Sequence, residues 1–462
     1  MWYFFEDPAY LNELDEFKDP VILLRKEDLN SELLKDVLKN NRDILATFLP
    51  PDNIKPLFVV KELPNKNPPF TSVEYEYLKS LPNGKRDKEK EKLLQEKLGL
   101  RIFAPTLKLS QLGGMQNLKK YVSLIKALEE FRDRKLKIRG IFLVGLAGTG
   151  KSFSAKVVSG ELNRHLVELN LSKIMETPNP IFTLHKVFQY LERLSLESEM
   201  KFILWIDEIE KMFASLEGIE KKVLGQLLTI LNDLNTEEGY KIDAIFWATA
   251  NDIQSIMERN PEFLRSGRFD KLFFVDTPCY PNEAIEIFKI YFREFNLPEI
   301  SNWKDLIDLA QKKVWQKLAM DYSSPEARVY IYTPAEIKQV VLEVKRNIIF
   351  FLDAYGKLKD FQDTPYEIEK FLTEFYSDLS PSFDFDILLS KIGKEAENYK
   401  KMLEFLKKKK EEYNFSTPWE AMLFAIFYNE MHQVSPILKT ARESVQRMRN
   451  MASEYFTKVS EC

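Results

Sequence analysis

The octet Gly145-Leu-Ala-Gly-Thr-Gly-Lys-Ser152 constrains this chain more than any other stretch. It fits the spacing G-x-x-x-x-G-K-[ST], and its flanks have the periodicities that spacing needs. Ile141-Phe-Leu-Val144 reads as a buried strand leading in, and Phe153-Ser-Ala-Lys-Val-Val158 as a helix leading out. Glycines at Gly145, Gly148 and Gly150 let the backbone fold tightly enough to aim its N–H groups at phosphate oxygens, and the helix adds its positive N-terminal end. Lys151 places a cation against the β and γ phosphates, and Ser152 offers a hydroxyl to Mg²⁺. Ala147, Thr149 and Phe153 complete the loop's contacts. ATP and Mg²⁺ are the ligands this segment asks for.

Three later segments can complete a site around such a loop. In Phe202-Ile-Leu-Trp-Ile-Asp-Glu208 an apolar run ends in two carboxylates, at a point 56 residues beyond Lys151. Asp207 would hold the metal's coordination sphere, and Glu208, pointing the other way as neighbouring strand residues do, would polarise an attacking water. Ile245-Phe-Trp-Ala-Thr-Ala-Asn251 is a second buried strand closed by an amide that can orient that water. Asn260-Pro-Glu-Phe-Leu-Arg-Ser-Gly-Arg-Phe-Asp270 carries Arg265 and Arg268, whose guanidinium forks suit the charge of a transferring phosphoryl group. Alone, the acid pair also reads as a helix cap, the Asn as a turn former and the arginines as surface salt-bridge partners.

Strand and helix patterns alternate over residues 106–280, with strands at Ile141–Val144, Leu166–Leu169, Phe202–Ile206, Ala244–Thr249 and Leu272–Val275. That alternation predicts an α/β fold with a parallel sheet and helices on both faces. Residues 1–80 read as a small α/β module, with strands near 20–24 and 56–61 and helical spacing over 31–49. Residues 81–105 form a charged linker. Residues 281–462 are mainly helical, with helices from Asn282 to Phe295 and from a capping box at Thr333-Pro-Ala-Glu336. The segment 400–413 reads as an exposed helical face.

A net charge of −4 argues against a constitutive nucleic-acid binder. Two cysteines far apart in sequence, Cys279 and Cys462, argue against a disulfide framework and for a reducing cytoplasm. Neither a signal peptide nor an apolar stretch long enough to span a membrane is evident. His165, His185 and His432 lack ligand spacing and read as core or surface residues.

Taken in order, these motifs resemble the AAA family of P-loop ATPases. The likeness begins at Leu112-Gly-Gly-Met-Gln-Asn-Leu118, similar to the family's segment beside the adenine, which implies that Leu112 and Gly113 contact the base. Within the family the chain resembles a group encoded in chloroplast and cyanobacterial genomes. Val223-Leu-Gly-Gln-Leu-Leu-Thr229, Phe246-Trp-Ala-Thr-Ala-Asn-Asp252, Arg268-Phe-Asp-Lys-Leu-Phe-Phe-Val275 and Val434-Ser-Pro-Ile-Leu-Lys-Thr440 support this.

The resemblance implies a helical lid and a homo-oligomeric ring, usually a hexamer, with ATP between subunits and Arg265 and Arg268 reaching into the neighbouring site. Three departures stand out. Leu146-Ala147 replaces the family's usual two prolines. Pro334-Ala-Glu336 stands where many relatives carry a lid arginine. The segment Lys173-Ile-Met-Glu-Thr-Pro-Asn-Pro180 holds no aromatic where threading relatives commonly place one. Residues 355–415 look like an insertion in the lid.

The functional expectation is an Mg²⁺-dependent ATP hydrolase that assembles as a ring and remodels a macromolecular, protein partner. The alternatives are an ATP-dependent switch or scaffold that threads nothing, and a DNA-acting machine, which the charge disfavours.

Overall fold

The computed structural model describes principally residues 1–4, 22–24, 32–62, 98–131, 136–197, 200–213, 218–234, 239–252, 269–308, 332–379, 384–408, 417–433 and 442–460, with a few single positions excepted. Arg265, Arg268 and the segment 434–440 lie outside the described residues.

The N-terminal unit is a four-stranded parallel sheet of β1 (Trp2–Phe4), β2 (Ile22–Leu23), β3 (Ile44–Ala46) and β4 (Val60–Glu62), in the order β2-β3-β1-β4. Here the sequence reading needs correction. Helix α1 (Glu32–Lys39) ends well before residue 49, because the polar run from Asn40 to Asp43 breaks it and the next three residues are wholly buried as β3. The expected strand at 56–61 opens instead as a 3₁₀ turn, Lys55–Leu57, and the strand proper starts at Val60. Trp2 anchors the core, its indole N–H donating to Phe48 O at 3.0 Å and its ring meeting Phe48 and Phe58 edge-on.

The central sheet has seven strands. In chain order they are β5 (Leu100–Phe103), β6 (Gly140–Gly145), β7 (His165–Leu169), β8 (Phe202–Ile206), β9 (Ala244–Ala250), β10 (Lys271–Val275) and β11 (Thr457–Lys458). Their spatial order is β11-β10-β6-β9-β8-β7-β5, parallel throughout except β5, which runs antiparallel to β7. The expected strands are therefore present. β5, from the end of the segment read as a linker, joins the same sheet.

Period-two alternation divides the strand residues between two cores. Phe142, Val144, Leu204, Phe246 and Ala248 face α5 (Pro180–Glu197) and α6 (Ile219–Asp233). Ile141, Leu143, Trp205, Ile245 and Trp247 face α2 (Gln116–Phe131) and α3 (Lys151–Glu161). Between β7 and α5 lies the short helix α4 (Leu171–Met175), capped by the Asn170 side chain accepting from Lys173 N. Among residues 170–179 no aromatic is present; Met175 packs inward on the sheet's core, and the exposed aromatic of this region is Phe182, in the first turn of α5.

The lid comprises α7 (Asn282–Glu294), α8 (Pro334–Ala354), α9 (Pro365–Asp378), α10 (Phe385–Ile392), α11 (Glu395–Lys408) and α12 (Pro418–Gln433). The segment read as an insertion contributes α9, α10 and α11 to one continuous core with α8 and α12: Phe351 meets both Phe375 and Tyr399. Helix α11 is not exposed all round, since Ala396, Tyr399 and Leu403 are buried.

The chain then returns to the sheet. Helix α13 (Arg442–Tyr455) and β11 close along β10, and Val459 N donates to Phe274 O. One expectation about the cysteines needs correction. Cys279 is disulfide-bonded, and the sequence holds one other cysteine, Cys462, which lies outside the described residues. The cysteines thus lend no support to a reducing compartment. Among the described residues, no helix is long and apolar enough to cross a membrane.

Candidate functional site

The strand order assembles the site. β6, β9 and β8 are adjacent and parallel, so the segments leaving their C-terminal ends meet at one edge of the sheet. These are the glycine-rich loop, the stretch ending at Asn251, and the pair Asp207-Glu208. They open into a cavity of about 940 Å³ walled on the far side by α7 and the start of α8. Leu112, Gly113, Ala147, Gly148, Thr149, Gly150, Lys151, Ser152, Phe153, Asp207, Glu208 and Asn251 all line it. Gly145 lies behind the loop, where a Cβ would stand 1.9 Å from Val275 O, so only glycine lets β6 turn so close to β10.

Lys151 is buried, and its Nζ donates to Gly145 O at 2.9 Å and Leu146 O at 2.6 Å. Burial lowers its pKa to about 8, against the opposing pull of Glu210, Asp207 and Glu208. Ser152 Oγ donates to Asp207 at 2.9 Å from Oδ1 and 3.0 Å from Oδ2. Thr249, wholly buried on β9, donates its hydroxyl to Asp207 Oδ1 and accepts the Glu208 N–H at 3.2 Å. A hydroxyl and a carboxylate side by side are the hard oxygen donors that Mg²⁺ prefers, so these residues fit the metal. The backbone cradle and the Lys151 ammonium fit a polyphosphate.

Glu208 has φ of 50°, a left-handed conformation that costs a non-glycine residue, and its hydrogen-bond partners differ from those of Asp207. Its Oε1 accepts from Asn251 Nδ2 at 3.0 Å, and its Oε2 is paired with Lys211. The Lys211 ammonium, chiefly, holds the Glu208 carboxyl below its ordinary range.

Glu210, which the sequence reading passed over, accepts the Asn251 backbone N–H at 3.0 Å and keeps Oε2 buried without a hydrogen-bond partner. Burial raises its pKa. An acid three residues after Asp207 was visible in the sequence, but nothing local there marks its contact with Asn251.

The lid is joined to the phosphate loop and to residues 113–119 by contacts that sequence reasoning missed. Thr333 and Glu336 form the expected capping box at the start of α8, and the next N–H, that of Ala335, donates to Gly148 O at 3.0 Å. Leu146 is buried within the lid's core. Glu286 on α7 accepts from Gly114 N at 2.9 Å and Lys119 Nζ at 2.8 Å, fastening the lid to the segment before α2. Gly113 lies against Ile287, where a Cβ would meet its Cγ1 at 2.4 Å. Lys338, Tyr291 and Glu294 complete the lid wall.

A family profile described as "ATPase family associated with various cellular activities (AAA)" matches residues 141–277, the stretch that holds the loop, the acid pair and Asn251. The chain carries an AAA-family ATPase domain. The strand order β10-β6-β9-β8-β7 is the parallel core of that AAA domain, and β5 and β11 extend it at either edge.

The relatives agree with the chloroplast-type resemblance. An "Uncharacterized AAA domain-containing protein ycf46" of Guillardia theta is 31% identical over 250 residues, covering 52% of this chain and 46% of that protein. The ycf46 protein of Pyropia yezoensis is 26% identical over 386 residues, covering 80% and 67%. A "Proteasome-activating nucleotidase" of Saccharolobus islandicus (strain M.14.25 / Kamchatka #1) is 28% identical over 225 residues, covering 46% and 54%. The chain spans about half the length of the Guillardia protein and of two further ycf46 proteins.

Proposed function

We propose that this chain hydrolyses ATP to ADP and phosphate with Mg²⁺, works as a ring of identical subunits, and spends the cycle on remodelling a protein partner. The observation that carries the hydrolytic reading is the division of labour between adjacent acids. Asp207 is turned to the Ser152 hydroxyl, and Glu208 is turned away from it to the Asn251 amide.

Lys151 and the loop N–H groups bind the polyphosphate, and Ser152 and Asp207 hold the metal. Bound Mg²⁺ neutralises charge on the phosphate oxygens. Glu208 takes the proton of the attacking water, and Asn251 orients it. The AAA family's ring habit supports assembly, and the proteasome-activating relative supports a protein partner; Arg265 and Arg268 are the residues assigned to the neighbour's site. Activity should then rise more than linearly with protein concentration. Full turnover from a monomer at nanomolar concentration would exclude the trans-arginine part.

A second reading is a switch or scaffold that threads nothing, acting by ATP-timed binding. It is favoured by the loop between β7 and α5, which lacks an aromatic and turns Met175 inward. Because Met175→Ala would disturb packing, Phe182→Ala is the better discriminator. A threader should lose partner-stimulated turnover in that variant, and a switch should keep it. The direct experiment for the partner is to hold the Glu208→Gln form in ATP and identify what co-purifies; capture of nucleic acid in place of protein would overturn the protein-partner reading.

A further inference from the structure

Resting on the reading of the cavity as an ATP site, we propose that Glu294, neutralised by Lys338, accepts a hydrogen bond from the ribose hydroxyls and makes the site prefer ribo- over deoxyribonucleotides.

The argument begins with an oddity of charge. A pocket for a polyanion gains from cations and loses from carboxylates, yet Glu294 lines its wall. Asp207 and Glu208 have metal and water to serve at the opposite side. Glu294 has neither nearby; it is held by Lys338 Nζ at 2.7 Å from Oε1, and Lys338 in turn lies over the Tyr291 ring at 5.3 Å. The pair thus removes net charge from the rim while leaving Glu294 Oε2 as an acceptor. An acceptor beside a nucleotide is useful only against a donor, and away from the base the nucleotide's donors are its sugar hydroxyls.

Position favours the sugar over the base. Leu112 and Gly113, the residues that the resemblance sets beside the base, line the cavity together with Ile287 of α7. Glu294 is seven residues further along the same helix, about 10 Å at 1.5 Å per residue. On the other side, Ala335 touches the phosphate loop through Gly148, and Lys338 is about one turn beyond it. The pair therefore stands outward of both the base slot and the phosphate loop, at the edge where a sugar joins the two.

The test is calorimetric titration of the full chain carrying Glu208→Gln, so that nothing is hydrolysed, with Mg²⁺ and ATP, 2′-deoxy-ATP, 3′-deoxy-ATP or inosine triphosphate. ATP should bind about tenfold more tightly than at least one deoxy form, the size of a hydrogen bond to a charged acceptor. Adding Glu294→Gln should shrink that ratio to about twofold or less, while Glu294→Asp should keep part of it. Equal affinities for ribo and deoxy forms would overturn the proposal. So would a uniform loss for every nucleotide with the ratio intact, which marks the pair as a helix-to-helix staple, or a ratio that changes only for inosine triphosphate, which assigns Glu294 to the base. Failure of every nucleotide to bind would instead refute the ATP site itself.

Discussion

Arg449 on α13 grips Asp276 at the end of β10 with two parallel hydrogen bonds, Nε to Oδ2 at 2.7 Å and Nη2 to Oδ1 at 2.8 Å. A bidentate fork in a largely buried position is among the stronger ionic contacts a protein makes, and breaking it leaves a charge stranded. It ties the last helix to the strand beside the phosphate loop's own. Arg449→Met should lower stability by about 2–4 kcal/mol and expose 442–460 to protease before the rest of the chain unfolds. Limited proteolysis with thermal denaturation reads both. An unchanged melting temperature and cleavage pattern would show that α13 docks by its apolar face alone.

Glu208→Gln should keep ATP bound and lower turnover by about 10²–10⁴-fold, the usual worth of a positioned base. Single-turnover hydrolysis beside equilibrium binding separates the two effects. Near-normal turnover would move the role of base to another group.

Lys151→Ala should abolish measurable nucleotide binding. Ser152→Ala and Asp207→Asn should instead bind nucleotide and lose the response to metal. The check is a magnesium titration of turnover in each variant; a wild-type metal response in both would remove these residues from the metal site.

Leu146→Ala should loosen the lid from the loop. Truncating a buried leucine costs about 2–5 kcal/mol where the surroundings cannot collapse. Because Leu146 belongs to the lid's core although it sits in the phosphate loop, part of that cost should appear as weaker ATP binding. Titration calorimetry and melting temperature together test it. A stability loss with unchanged affinity would mean that the anchor is not coupled to the nucleotide.

Arg164, almost wholly buried, holds Glu129 through Nε at 2.9 Å and Asp243 through Nη1 at 2.9 Å. Burial pushes Asp243 up, but Arg164 and Lys137 outweigh it and keep the carboxyl below its ordinary value. A depressed acid stabilises the fold above its unfolded pKa, about 3.9, and loses that contribution as pH falls through the lower folded value. Arg164→Met should therefore be destabilising at neutral pH and lose less stability than wild type on acidification below about pH 4. Urea denaturation at several pH values would show it, and parallel losses for the two proteins would refute it.

The sequence was most legible where meaning is local. The phosphate loop, the acid pair and Asn251 each lie at the end of a strand whose apolar run is unbroken, and a parallel sheet collects such ends without further instruction. It was least legible where contacts span the chain. Glu286 meets Gly114 from 172 residues away, and Arg449 meets Asp276 from 173, and no spacing rule announces either. Short strands failed for another reason. Ile44-Leu45-Ala46 is too brief to show a period, so it was absorbed into the preceding helical pattern. Arg265 and Arg268 remain a reading of the sequence and the resemblance, since they lie outside the described residues.

The contact between Ala335 and Gly148 joins one main chain to another. Most side-chain exchanges at position 335 leave it in place, so a scan confined to side-chain chemistry there would pass over it in silence. A proline at 335, which has no amide hydrogen, is the substitution that cuts it. Through that bond any swing of the lid pulls on the phosphate loop directly, as a lever pulls on a latch, whatever residues the rest of the pocket comes to carry.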